Sequence, residues 1–117
     1  MKTIRPLPPI EELREFLHYE PDTGLFRWKV DRRGTAKAGS VAGSLNYTGY
    51  IFIRINGRSF CAHRLAWALY HNQDPGSMQI DHIDQNKSNN KIINLRLANH
   101  GPNNAYAGPQ KKQQIRY

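Results

Sequence analysis

Apolar side chains in the first part of the chain change from helical to strand spacing. Leu13, Phe16 and Leu17 share one face of a helix predicted over residues 10–18, and acidic residues in its first turn suit the helix dipole. Residues 19–24 (YEPDTG) have the composition of a turn, and residues 25–30 (LFRWKV) alternate as a strand does. A basic, glycine-containing loop is expected over residues 32–40.

A β-hairpin is the clearest element of the next part. Three isoleucines fall on one face of a strand predicted over residues 49–55, and Asn56-Gly57 is a strong signal for a two-residue hairpin turn. Residues 58–61 are the expected return strand. Residues 62–70 then predict a helix, because four apolar residues follow the i, i+3, i+4, i+7 spacing: Ala62, Leu65, Ala66 and Leu69.

The C-terminal part predicts a strand, a long loop, a second strand and a short helix. A short apolar-polar run over residues 77–82 ends in Asp81-His82, and a loop rich in Asn, Asp and Lys follows over residues 84–91. The second strand is expected over residues 94–98. A helix should begin near Asn99, with Pro102 in its first turn, and must end by Gly108-Pro109.

Charge is distributed unevenly, and this points to a polyanionic partner. The chain carries +8 in total, yet residues 1–24 sum to −2 and residues 25–117 to +10. Such an asymmetry favours nucleic acid as a partner, although a merely basic, solvated surface explains the charge alone equally well. One cysteine, no apolar run of membrane-spanning length and no secretory signal predict a soluble, cytoplasmic protein that does not bind membranes.

Asp81 and His82 are the residues with the chemistry that phosphodiester hydrolysis needs. A water must be deprotonated near neutral pH, for which histidine is suited, and a hard divalent cation held by oxygen ligands must stabilise negative charge. In a strand these two neighbours point to opposite sides. Taken singly, each has an ordinary explanation as a polar residue at a strand end.

The chain resembles the His-Asn-His endonucleases, found as free-standing and homing nucleases of phages and bacteria. The resemblance covers roughly residues 16–106 and is carried most specifically by several motifs that keep their spacing: His63-Arg64-Leu65, Asp81-His82-Ile83-Asp84, Asn86-Lys87, Asn89-Asn90, Asn94-Leu95-Arg96 and Asn103-Asn104. It implies a ββα-metal finger at the C-terminal end. Leu97 departs from the family pattern, since relatives often have Trp there.

The resemblance also implies a role for each residue of the finger. Asp81 would be a metal ligand, His82 the general base, and Asn94 the middle Asn that holds the loop and orients the His82 ring through a backbone contact. Asn103 would be the second metal ligand, with Asn104 as the alternative. Many relatives have His at that last position, and an Asn oxygen there suits Mg²⁺ or Mn²⁺ better than Zn²⁺.

DNA binding is expected to use basic side chains, each of which is equally explained as a solvated charge: Arg54, Arg58, Lys87, Lys91 and Arg96. His63 and Arg64 open a helix whose N-terminus could hold a phosphate; alternatively His63 packs against the finger loop. Asp84 is expected to form a turn, and Asn86, Asn89 and Asn90 are expected to be loop structure.

The sequence thus predicts one α+β domain over residues 1–117. A small antiparallel hairpin layer with flanking helices (1–62) precedes a helix and ββα-metal finger (63–107) and a loose basic tail (108–117). The predicted function is metal-dependent hydrolysis of DNA, by nicking or double-strand cleavage, as a monomer or homodimer. The alternatives are a non-catalytic DNA-binding module on a degenerate nuclease fold and a nuclease that acts on RNA.

Overall fold

Short antiparallel sheets and two helices make up the described part of the computed structural model, residues 7–32 and 36–98. The helices are α1 (Ile10–Phe16) and α2 (Ala62–His71). The strands are β1 (Leu17–Glu20), β2 (Leu25–Trp28), β3 (Val41–Ala42), β4 (Ser44–Leu45), β5 (Ile51–Ile55), β6 (Arg58–Cys61), β7 (Gln79–His82) and β8 (Leu95–Ala98). They form three sheets, ordered β1-β2-β3, β4-β5-β6 and β7-β8. The predicted α+β class is confirmed.

The first helix is shorter than predicted, and a strand occupies the end of the predicted helix and the first two residues of the predicted turn. Helix α1 ends at Phe16, and β1 pairs with β2 from Leu17 opposite Trp28 to Glu20 opposite Leu25. Leu17 and Tyr19 are buried while His18 between them is exposed, so this segment alternates as a strand does. A buried Leu17 fits both the helical and the strand spacing of apolar residues, and its pairing with Trp28 decides for the strand.

The predicted hairpin and its two-residue turn at Asn56-Gly57 are confirmed. Asn56 and Gly57 both have positive φ, 50° and 82°, which is the type I′ turn that matches the twist of two paired strands. The turn joins β5 and β6, whose register pairs Ile53 with Phe60. Both of these side chains are buried and face the core.

Helix α2 packs across the core and is held at its C-terminal end. The predicted apolar stripe is buried along its whole length. Asn72 caps the helix in the left-handed conformation, with its N–H donated to the Ala68 carbonyl. Arg14 of α1 donates from Nη2 to the Leu69 carbonyl at 2.9 Å and to Asn72 Oδ1 at 3.2 Å, which ties the two helices together.

The two predicted strands of the finger are present as β7 and β8. Asn94 was predicted to open the second strand. Instead it closes a 3₁₀ turn over Ile92–Asn94, and the strand begins at the next residue. The predicted helix of the finger, Asn103, Asn104 and the predicted tail all lie outside the described residues. The subdivision at residues 62 and 107 stays a prediction.

Neither helix of the described ranges, 7–32 and 36–98, has the length and apolar character that a membrane crossing requires.

Candidate active site

His82 stands at the end of β7, where the strand passes into the long loop of the finger. The β7–β8 register places Asp81 opposite Arg96 and His82 opposite Leu95. Because side chains alternate along a strand, Asp81 and His82 belong to opposite faces of this small sheet, as expected. His82 nevertheless keeps part of its surface exposed to solvent.

A network of Asn and Asp side chains shapes the loop after His82. Asp84 accepts hydrogen bonds from the Asn86 main chain at 2.8 Å and from Asn89 Nδ2 at 2.9 Å. These bonds, together with one from Asn94, hold the pKa of the Asp84 carboxyl below its usual range, with the Asn89 bond as the largest cause. Asp84 therefore stabilises the turn, as expected.

Asn94 ties the end of this loop to its beginning. Its Nδ2 donates to Asp84 Oδ1 and to the Asn89 carbonyl, both at 2.9 Å, and its Oδ1 accepts from the Asp84 main-chain N–H at 3.0 Å. Its main-chain carbonyl accepts from the Ile83 N–H at 2.8 Å. Asn94 is buried and holds the residues that follow His82, while the imidazole ring itself is held by another residue.

That residue is Asn90, for which the sequence predicts only a structural role in the loop. Its Oδ1 lies 2.8 Å from His82 Nε2, and its side chain is 2% exposed. Because an amide oxygen can only accept, His82 donates from Nε2, and the lone pair of the neutral ring is on Nδ1. The available signal was the Asn89-Asn90 pair, one of the motifs in the family resemblance, but nothing in the sequence showed which Asn faces the histidine.

His63 packs directly against His82, the last residue of β7 before the finger loop. The centroids of the two rings are 5.0 Å apart in an edge-on arrangement. The centroid of the Tyr50 ring lies 5.5 Å from that of His63 and 6.1 Å from that of His82. Burial lowers the pKa of His63 to about 3, helped by the nearby His82 and Arg64. His63 is therefore a neutral neighbour that covers one side of the His82 ring.

Arg64 is engaged by the main chain that leads into β7. Its Nη1 donates to the Met78 carbonyl at 2.8 Å and its Nη2 to the Gly76 carbonyl at 2.6 Å. Its Nε is buried and has no hydrogen-bond partner among the residues that the structure describes. Burial lowers the pKa of this guanidinium. In the structure the Arg64 side chain thus fixes the approach to the strand that carries Asp81 and His82, rather than presenting a free cation for phosphate.

Asp81 is the described carboxylate that fits the predicted metal site. Its Oδ2 lies 4.0 Å from Arg96 Nε, and the two side chains are 34% and 58% exposed. Within residues 7–32 and 36–98, no three His, Cys, Asp or Glu side chains are grouped to hold a metal ion. A site with Asp81 as its one described ligand would need a second oxygen donor, and the predicted partner Asn103 lies outside the described residues.

The remaining predicted DNA contacts are exposed and lie on two elements, the β5–β6 hairpin and the finger loop. Arg54 and Arg58 lie on the β5–β6 hairpin and Lys91 lies on the finger loop. Lys87 is also on this loop, where its Nζ donates to the Thr48 carbonyl at 3.3 Å and lies 4.9 Å from the centre of the Tyr50 ring. Lys87 thereby links the finger loop to the segment that enters β5.

Comparison with known proteins relates the segment around His82 to one family and the fold to one solved structure. Residues 60–105 match the family described as HNH endonuclease. The resemblance to this family predicted from the sequence is confirmed. The matched segment includes Asp81, His82, Asn94 and Asn103.

Among solved structures, the chain is similar to the HNH homing endonuclease I-HmuI, a structure described for DNA binding and cleavage. The TM-score is 0.53 at 23% sequence identity, over 77% of this chain and 50% of that chain. At this identity the likeness shows the fold, and the present chain spans about half the length of that protein. No curated protein matches the sequence.

Proposed function

We propose that this protein is a metal-dependent DNA endonuclease that hydrolyses phosphodiester bonds, with His82 as the general base. The observation that carries the proposal is the hydrogen bond between His82 Nε2 and Asn90 Oδ1, which leaves the lone pair of the neutral imidazole on Nδ1. A partly exposed imidazole with one nitrogen fixed and the other able to take a proton is what activation of a water requires.

Metal binding is assigned to Asp81 and Asn103. A carboxylate and an amide oxygen are hard donors that suit Mg²⁺ or Mn²⁺. When bound, the ion would stabilise the charge that develops on the phosphate and on the departing 3′ oxygen. Arg96, directly opposite Asp81, holds a compensating positive charge beside the carboxylate. The expected products carry 5′-phosphate and 3′-hydroxyl ends, as the family resemblance implies.

The neighbours of His82 prepare it for this role. His63 is neutral throughout the physiological pH range and therefore does not repel a proton arriving on His82. Asn94 fixes the main chain on the C-terminal side of His82, so the position of the ring relative to Asp81 is set by the fold. Pre-organisation of this kind lowers the entropy that must be lost at the moment of reaction.

DNA binding is assigned to the exposed basic side chains Arg54, Arg58, Lys87, Lys91 and Arg96. They come from the hairpin, the finger loop and β8, and a protein that neutralises several phosphates in this way loses affinity steeply as salt rises. The His63 imidazole contributes by covering His82, and Arg64 by holding the segment before β7, rather than by touching phosphate.

The experiment that tests the proposal is nicking of supercoiled plasmid with Mg²⁺ and with EDTA. Wild-type protein should nick only with the metal ion, and His82→Ala should lose at least about 100-fold of the rate, since general-base catalysis contributes about 10²–10⁴-fold. His71→Ala is the matched control: His71 is an exposed histidine at the end of α2 whose ring contacts are Trp67 and Tyr70. It should retain the wild-type rate.

A gel-shift measurement on the same proteins separates the enzyme from the binding module. Wild-type protein and His82→Ala should shift a DNA duplex equally in EDTA, because the imidazole makes no phosphate contact in the proposal. Equal binding together with no metal-dependent nicking by the wild type would overturn the enzyme and leave a DNA-binding module.

A further inference from the structure

The β1–β2 hairpin makes three contacts with residues 90–92, at the end of the finger loop. The Tyr19 hydroxyl donates to the Asn90 carbonyl in a buried hydrogen bond. The Ile92 N–H donates to the Pro21 carbonyl at 3.1 Å. Gly24, in the turn of the hairpin, lies against the peptide between Asn90 and Lys91. This hairpin precedes the residues that match the endonuclease family, so the contacts come from outside that segment.

The contact at Gly24 is close enough to require glycine. A Cβ there would lie 2.5 Å from the Lys91 nitrogen and 2.6 Å from the Asn90 carbonyl carbon, and the residue has a φ of 78°. Main-chain atoms cannot give way as a flexible side chain does. The hairpin turn is therefore packed against the peptide that follows Asn90, and the Tyr19 hydroxyl holds the same peptide's oxygen.

Asn90 is the residue through which these contacts reach His82. Its carbonyl is bound by Tyr19, and its side-chain Oδ1 accepts from His82 Nε2 at 2.8 Å. The Asn90 side chain is almost fully buried, so its rotation about the main chain is restricted by packing. A shift of the Asn90 backbone would carry the amide oxygen away from the ring.

We infer that the β1–β2 hairpin, acting through Asn90, is a positioning element that keeps the His82 ring in its Nε2–H tautomer, in which the lone pair is on Nδ1. This inference rests on the proposed function for its catalytic consequence. Asn90 and Tyr19 are positioning residues, since neither is assigned a contact with DNA, metal or the attacking water. Partners that orient a functional histidine typically change activity by about 10–100-fold when removed.

The direct test is the tautomer of His82, measured by long-range ¹H–¹⁵N correlation NMR of the imidazole nitrogens in the full chain, with His82→Gln to assign the signals. The wild type should show a single Nε2–H tautomer. Asn90→Leu, of similar size but without an acceptor, should show averaged shifts from a mixture, and Asn90→Asp, which keeps an acceptor oxygen, should restore the single tautomer. Asn86→Ala is the control, because Asn86 is an exposed Asn of the same loop that bonds Ser88 rather than His82.

Tyr19→Phe keeps the proposal testable if Asn90→Leu fails to fold. Loss of the hydroxyl should produce a detectable second tautomer of His82 while the circular dichroism spectrum stays that of the wild type. A single Nε2–H tautomer in folded Asn90→Leu, or in Tyr19→Phe where the first variant does not fold, would overturn the inference.

Kinetics then separate positioning from DNA binding. In plasmid nicking, Asn90→Leu should lower kcat about 10–100-fold and leave KM for DNA within about twofold. A raised KM with unchanged kcat would contradict a positioning role. Because the NMR readout needs no metal and no turnover, a protein that never nicks DNA would refute the proposed function and still decide the inference about the tautomer.

Discussion

Replacement of Asn94 by alanine should destabilise the protein and release the loop that follows His82. Asn94 is buried and makes three side-chain hydrogen bonds, two of them with main-chain groups of Asp84 and Asn89. A hydrogen bond of this kind contributes about 1 kcal/mol net, and the two main-chain groups lose their partner together. The bond to the exposed Asp84 carboxylate is left out of the sum because solvent screens it. We expect a loss of about 2 kcal/mol in the free energy of unfolding.

Urea unfolding followed by tryptophan fluorescence measures this loss. For a chain of this size, about 2 kcal/mol corresponds to a decrease of about 8 °C in Tm. The matched control is Asn86→Ala, an exposed Asn of the same loop, which should change the free energy of unfolding by no more than about 0.5 kcal/mol.

A second variant at this position tests the reason rather than the size of the effect. Asn94→Asp preserves the volume and the acceptor for the Asp84 N–H, but it loses both donated bonds and brings a second carboxylate against that of Asp84. It should be at least as destabilised as Asn94→Ala at pH 7. If Asn94→Ala and Asn86→Ala were equally stable, or if Asn94→Asp were as stable as the wild type, the described role of Asn94 would be wrong.

Three further predictions concern His63, Gly24 and Lys91. The pKa of His63 is about 3 in the folded chain and near 6.5 when unfolded, so the unfolded state binds more protons between these pH values. The free energy of unfolding should therefore fall by about 1.4 kcal/mol per pH unit as pH drops from 6 to 4.5. In urea unfolding, His63→Leu should lack this contribution to the pH dependence. Gly24→Ala should cost at least about 2 kcal/mol in thermal unfolding, because strain and a main-chain clash combine. Gly57 has a similar φ, and a Cβ there would meet no atom of the described residues within 4 Å, so Gly57→Ala should cost only about 1 kcal/mol; equal costs would contradict the close packing at Gly24. Lys91→Ala should reduce the slope of log binding constant against log salt by about 1 in fluorescence anisotropy with duplex DNA, and an unchanged slope would remove Lys91 from the interface.

Much of the fold follows from local patterns. The Asn56-Gly57 turn and the apolar stripe of α2 were predicted correctly because both depend on residues close in sequence. The strand β1 was missed because Leu17 suits a helical face and a strand equally, and only pairing with β2 decides its conformation. The strands β3 and β4 were missed for a different reason: with two residues each, they are too short to show a period.

In the candidate site too, features that depend on neighbouring residues were predicted, and features that depend on distant contacts were not. The positions of Asp81 and His82 at the end of a strand were readable from the sequence, and so was the loop that follows them. The assignment of Asn90 to His82 was not, because four Asn residues occur between positions 86 and 94 and their spacing does not show which faces the ring. The hydrogen bond from the Tyr19 hydroxyl to the Asn90 carbonyl joins residues 71 positions apart, and a single sequence carries no signal for a contact over that separation.

The central claim is that the imidazole at position 82 takes a proton during DNA cleavage, and chemical rescue tests this most directly. His82→Gly removes the imidazole and leaves space for a free one, so added imidazole should restore Mg²⁺-dependent nicking in a concentration-dependent manner, and more effectively as pH rises through the pKa of the added base. The same imidazole should not rescue Asp81→Ala, which lacks the proposed metal ligand. A His82→Gly protein that nicks DNA at the wild-type rate without imidazole would contradict the claim.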